Sequence, residues 1–270
     1  MIRTLSRLLW ICVAATAMAR GEDPDPDASP IWQKVRADLF ATGPIAVGDG
    51  VVSLEAPARA QDAATVPITI RAQFPQAAER YIDRIWLIVD NNPSPIAAAF
   101  QFTRASGRAD IETRIRVEQY THVRAIAATN DGALYMASRY VKASGGCSAP
   151  MGADAALSKA NLGKMRLLVD EATPSGQPAL ARLMISHPND SGLAMDQSTR
   201  TYAAPHFVRS IEVRQGGELV LRADLDFTIS ENPYFRFYLK DADKGALEAK
   251  VVDNQDLVFT SSIATHAARR

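Results

Sequence analysis

The stretch Ile111-Glu112-Thr113-Arg114-Ile115-Arg116-Val117 decides the fold. Ile111, Thr113, Ile115 and Val117 fall on one face, and Glu112, Arg114 and Arg116 on the other. Successive strand side chains point to opposite faces, so this alternation describes a half-buried antiparallel strand with its charged face in water. Working outward, 66–74, 82–90, 96–103, 123–129 and 134–141 read as strands of the same kind. Asn91-Asn92-Pro93-Ser94-Pro95 and Asn130-Asp131-Gly132 break them, the second with a hairpin signature. Strand follows strand with no helical period between, which predicts a sandwich. A second series at 162–169, 179–186, 207–214, 219–225, 234–239, 247–252 and 257–262 predicts another, with hairpins at Gln215-Gly216-Gly217-Glu218 and Asp253-Asn254-Gln255-Asp256.

Between the two series, 142–161 carries Gly145, Gly146 and Gly152, several alanines and no β-branched residue. The expected architecture is therefore all-β. Two sandwich domains, 66–147 (with an arm at 142–150) and 162–263, are joined by a flexible Cys-bearing segment whose far part is a linker at 148–161. Ahead of them, 20–65 reads as a lead-in with one short helix. Its first part, to residue 30, is acidic, proline-rich and expected to be disordered. Ser29 then caps a helix whose first turn holds Pro30, and Ile31, Val35 and Leu39 line its apolar face. Residues 1–19 form a signal peptide: Arg3 and Arg7 precede an apolar run at 8–15, and Ala17-Met18-Ala19 ends in a cleavage site after Ala19. The apolar run is shorter than the ~20 residues a bilayer span needs, so no membrane anchor is expected.

Removal of 1–19 leaves 28 basic against 30 acidic residues, a net of −2, and a single cysteine, Cys147. No basic field points to nucleic acid. With no internal disulfide available, an exported chain of this length must hold itself together by core packing. Cys147 sits in Lys142-Ala143-Ser144-Gly145-Gly146-Cys147-Ser148-Ala149-Pro150, where no neighbour in sequence is a large apolar residue. Adjacent glycines give backbone freedom, so the residues read as an exposed thiol near its ordinary pKa of ~8.5, hinged on Gly145 and Gly146. Lys142 is the one candidate to perturb it. The alternative is a small buried hydrophobe, as free cysteines usually are.

Other chemistries find little support. The four histidines, at 122, 187, 206 and 266, show no metal-ligand spacing, and no metal or cofactor is expected. His187 and His206 flank one loop, 188–204, and read as satisfied turn residues. Asp224 and Asp226 read as solvated strand carboxylates. A Cys147 hydrolase would need a histidine in reach and a rigid nucleophile, which a glycine hinge does not provide.

Several runs together resemble a known family. Val-Pro-Ile-Thr-Ile at 66–70, Val-Asp-Asn-Asn-Pro at 89–93, Thr-Arg-Ile-Arg-Val at 113–117, Asp131-Gly132 and Val-Lys-Ala-Ser-Gly-Gly-Cys at 141–147 resemble SoxY, the sulfur-binding subunit of the bacterial thiosulfate-oxidation carrier. Ser-His-Pro-Asn-Asp-Ser-Gly-Leu at 186–193, Ala-Pro-His-Phe-Val at 204–208 and Ser-Glu-Asn-Pro-Tyr-Phe-Arg-Phe at 230–237 resemble its partner SoxZ. The chain thus resembles a SoxY–SoxZ fusion of the quinoprotein dehydrogenase-associated carrier type. The resemblance implies immunoglobulin-like sandwiches and a periplasmic, non-enzymatic carrier. Cys147 would be its covalent attachment point, Gly145 and Gly146 its hinge, and redox or sulfur-processing enzymes, a quinoprotein dehydrogenase among them, its partners. Family members have glycines after the cysteine, where this chain has Ser148 and Ala149, and their arm is a free C-terminus. An adaptor protein for such a dehydrogenase, with Cys147 incidental, is the alternative from another class.

Overall fold

The computed structural model describes residues 23–41, 43–149, 160–170, 176–195, 199–241 and 244–265. The expected signal peptide, and most of the expected linker, lie outside these residues. Helix α1 (Pro30–Phe40) is followed by β1 (Ile45–Val47), β2 (Val52–Glu55), β3 (Val66–Ala72), β4 (Ile82–Val89), β5 (Ile96–Phe102), β6 (Ile111–Ile115), β7 (Thr121–Thr129) and β8 (Leu134–Val141). Then come β9 (Met165–Val169), β10 (Ala179–Ile185), β11 (Val208–Gln215), β12 (Glu218–Leu225), β13 (Tyr234–Leu239), β14 (Leu247–Asp253) and β15 (Val258–Ile263). The all-β expectation holds, and the strands after residue 66 fall where alternation puts them.

The two halves share their sheets. One sheet runs β1-β8-β7-β4-β5-β12-β11-β14-β15 and the other β2-β3-β6-β13-β10-β9. The first half meets the second where β5 pairs antiparallel with β12, from Phe102 opposite Leu221 to Ala98 opposite Leu225. In the other sheet β6 meets β13, with Glu112 opposite Arg236 and an ion pair of 2.6 Å between them. A single buried cluster spans both halves; Phe100 meets Phe235 across it edge-on, ring centroids 6.2 Å apart. Pairing across the seam satisfies edge backbone groups that would otherwise be left open.

The lead-in differs from its expectation. Residues 23–28 are ordered: Asp25 caps a 3₁₀ turn at Pro26–Ala28, and Arg124 donates to the Pro26 carbonyl at 2.5 Å. Ser29 Oγ accepts the Trp32 N–H at 3.2 Å, so the cap and the first-turn proline stand as read. The buried face of α1 is Trp32, Val35 and Phe40, whereas Ile31 and Leu39 are exposed. This face packs on Ile88 and Ile126, on the outer side of the nine-stranded sheet. Two unexpected strands, β1 and β2, lie before residue 66, β1 paired parallel with β8.

Candidate functional site

The site grows from the end of the fold-deciding strand. Past Ile115, the chain leaves the ladder and bonds to a loop from each half. Arg116 N–H donates to the Thr228 carbonyl at 2.7 Å, and Val117 N–H to that of Ala63 at 2.8 Å. Alternation puts Arg116 on the solvent face, yet it is 6% exposed, because the loop from Phe227 to Ile229 covers it. Its Nη1 donates to the carbonyls of Phe227 at 2.9 Å and Ile229 at 2.7 Å. Among the described residues no carboxylate lies within ion-pair reach of it. Burial lowers the pKa of this guanidinium, and the fields of Cys147, Glu231 and Asp190 oppose the shift.

The arm leaves β8 and folds back into this seam. Gly145 N–H donates to the Glu118 carbonyl at 2.9 Å and Gly146 N–H to that of Val117 at 3.0 Å. One carboxylate then holds the next two residues. Glu118 accepts the Cys147 N–H at 2.8 Å, the Ser148 N–H at 3.1 Å and the Ser148 hydroxyl at 2.9 Å. From the second half, Ser191 Oγ donates to the Cys147 carbonyl at 2.5 Å. Hydrogen bonds to a charged acceptor are roughly twice as strong as neutral ones, so Glu118 is the principal clasp. Gly146 is required for the fit: a Cβ there would stand 2.0 Å from the Ala63 carbonyl oxygen. Gly145 sits at φ +81°, where glycine carries no steric cost.

The expected exposure of Cys147 is therefore corrected. The residue is 1% exposed, with its walls supplied from far away in sequence. Burial first, and the Glu118 charge second, push the thiol up to about 12; Arg116 opposes this and Asp226 adds to it. Lys142 plays no part, being paired instead with Asp23 at 3.2 Å. Asp226, read as a solvated strand residue, lies beyond the end of β12 and is half-buried. Burial raises its pKa against hydrogen bonds from Ser94, Phe227 and Thr228, and its Oδ1 has no hydrogen-bond partner among the described residues. Asp224, on β12, is exposed. Glu118 carried no sequence signal, and neither the run containing Ser191 nor the carboxylate of Asp226 pointed to the thiol, because the chain reversal that gathers them is not periodic.

Beyond the clasp, His187, His206 and Asp253 place one ligand atom each within 4.8 Å of the others, a convergence that sequence spacing did not foretell. Asn189 N–H donates to His187 Nδ1 at 3.0 Å, so the neutral ring carries its proton on Nε2, 3.5 Å from Asp253 Oδ2. His206 Nε2 meets the same oxygen at 2.8 Å. A metal-bound histidine donates from its second nitrogen; here that nitrogen accepts. The trio thus works as a lock on the loop that ends in Ser191, helped by paired main-chain bonds between Asp190 and His206. Burial, then His206, drops the His187 pKa to about 4. Burial pushes Asp253 up, but the bonds from His206, Leu257 and Gln255 outweigh it and hold the carboxyl low.

Fold and site together define a two-part β-sandwich protein with one thiol clasped at the seam of its halves. A family model described as sulfur oxidation protein SoxY matches 36–147, ending on Cys147, and one described as sulphur oxidation protein SoxZ matches 165–264. The chain belongs to these two families, fused in one polypeptide. Similar solved structures include the sulfur carrier protein SoxY from Chlorobium limicola f thiosulfatophilum, 23% identical over 42% of this chain and 91% of that one, TM-score 0.35. A superoxide reductase (neelaredoxin) from Ignicoccus hospitalis is 15% identical over 34% of this chain and 79% of that one, TM-score 0.30. No curated protein sequence matches the chain. Among the described residues, no helix is long and apolar enough to cross a membrane.

Proposed function

We propose that this chain is a periplasmic carrier that holds a sulfur-containing group covalently on Cys147 and presents it to partner enzymes, without itself being a catalyst. The observation that carries this reading is the clasp. A thiol raised to about 12 is the reverse of an activated nucleophile, which needs a lowered pKa or an adjacent base. Yet it is held largely by a few hydrogen bonds that an arm can exchange for water. Gly145 and Gly146 are the proposed hinge, and the partners are sulfur-processing or redox enzymes, a quinoprotein dehydrogenase among them.

The test is the intact mass of the protein isolated from its native cells, beside a Cys147→Ser control. A discrete added mass, mapping to the peptide that contains Cys147 and absent from the control, supports the carrier. The burial of Cys147 favours a second reading, an adaptor in which the thiol is incidental. An unmodified chain, together with full function of Cys147→Ser in those cells, would establish the adaptor and end the carrier reading.

A further inference from the structure

The clasp that holds the arm places a carboxylate against the residue that would bear the cargo. Glu118 makes three of its hydrogen bonds to Cys147 and Ser148, and Asp226 stands nearby with one buried oxygen that has no partner among the described residues. Asp190 and Glu231 act on the same corner through Arg116. Among the described residues, Arg116 is the one cation whose field opposes these, and its Nη1 is already committed to two carbonyls. The seam suits a neutral group at the sulfur and disfavours an anionic one, since taking a charge out of water beside a like charge carries both a desolvation and a Coulomb penalty.

We propose that Glu118, acting with Asp226, sorts the arm by charge: the empty, neutral thiol is retained in the seam, and an anionic group on Cys147 drives the arm out. Glu118 acts here as a positioning residue, because it touches the arm and not the reacting sulfur. The geometry supplies both parts of the device. The same carboxylate anchors the closed arm through main-chain N–H groups and repels negative charge at the thiol. The direction suits a carrier, which must hide an empty thiol and offer a full one. Ser148 adds a side-chain bond to Glu118.

The inference rests on Cys147 as the attachment point, but its test does not. The purified chain without residues 1–19, whose one thiol is Cys147, is converted to completion, checked by mass, with methanethiosulfonates that differ in charge at similar length: hydroxyethyl, sulfonatoethyl and trimethylammonioethyl. In each case the thiolate attacks the sulfenyl sulfur, a disulfide forms and methanesulfinate leaves. Hydrogen exchange is then read at the amides of Gly145 to Ser148. The sulfonatoethyl adduct is expected to exchange at least tenfold faster than the hydroxyethyl adduct, and the trimethylammonioethyl adduct no faster than the hydroxyethyl one. Glu118→Gln keeps an acceptor for the Cys147 N–H, so its unmodified arm stays protected while the gap between charges shrinks. Equal exchange in all three adducts would make bulk the cause, and a more protected anionic adduct would make Arg116 dominant. Either result overturns the proposal. A native protein without any adduct would defeat the carrier reading and leave this charge response to stand on its own measurement.

Discussion

Gly146 leaves the clasp no slack. Its Cα faces the Ala63 carbonyl and the Val117 nitrogen, both main-chain atoms that cannot swing aside. Gly146→Ala should therefore displace the arm and leave the sandwich intact. Alkylation of Cys147 by iodoacetamide, followed by mass, is expected to accelerate at least tenfold, with the melting temperature close to the parent's. An unchanged rate would mean that the backbone yields instead. His187 gives a second prediction. Its native form is neutral, held to about 4, whereas the unfolded chain titrates near ~6.5. Above that value its contribution is fully present. As pH falls through 6.5 towards 4, the unfolded state takes up a proton that the folded state refuses, and about 3 kcal/mol is lost. Asp253, held low, adds a loss at still lower pH. Urea midpoints between pH 7 and pH 4 should fall accordingly, and this slope should flatten in His187→Gln.

Helix α1 is fastened by a buried pair. Arg124, fully buried, meets Asp90 at 2.7 Å and lies 4.4 Å under the Trp32 ring, while donating to the Pro26 carbonyl. Removing one partner of such a pair strands a buried charge, so Asp90→Ala should cost about 3–5 kcal/mol in urea unfolding; a cost below 1 kcal/mol would show that water reaches Arg124. Elements of this kind were unevenly legible in the sequence. Strands such as β6 and β12 were plain, since alternation is a local signal. The cap of α1 was plain too, but its face was not: Ile31 is as apolar as Val35, and only the position of the sheet selects Trp32 and Phe40. β1 and β2 are short strands that a partner elsewhere in the chain props up. Arg116 alternates as a surface residue and is covered by a loop more than a hundred positions away. Cys147 was found by its composition. Its burial was not, because the walls are Glu118, Arg116 and Ser191.

At the scale of the molecule, both sheets run through the seam, so the two sides of the arm's pocket belong to one sandwich. In the proposed carrier, the walls stay in place and the arm, held by the bonds from Glu118 and Ser191, is the part that leaves. That makes the thiol's chemistry a report on a single closed–open equilibrium. With the closed thiol raised to about 12, closure is at full strength below the ordinary thiol value. It weakens as pH climbs towards about 12, since only the open thiol ionises. Ionising it in place costs about 4–5 kcal/mol more than in water. The most direct test is the rate of Cys147 alkylation by iodoacetamide against pH. A clasped thiol should react at a rate well below that of a free thiol at pH 7, rising about tenfold per pH unit and continuing past pH 9 without levelling. A rate equal to a free thiol's, levelling near pH 9, would show an arm that is open all the time and would contradict the clasp.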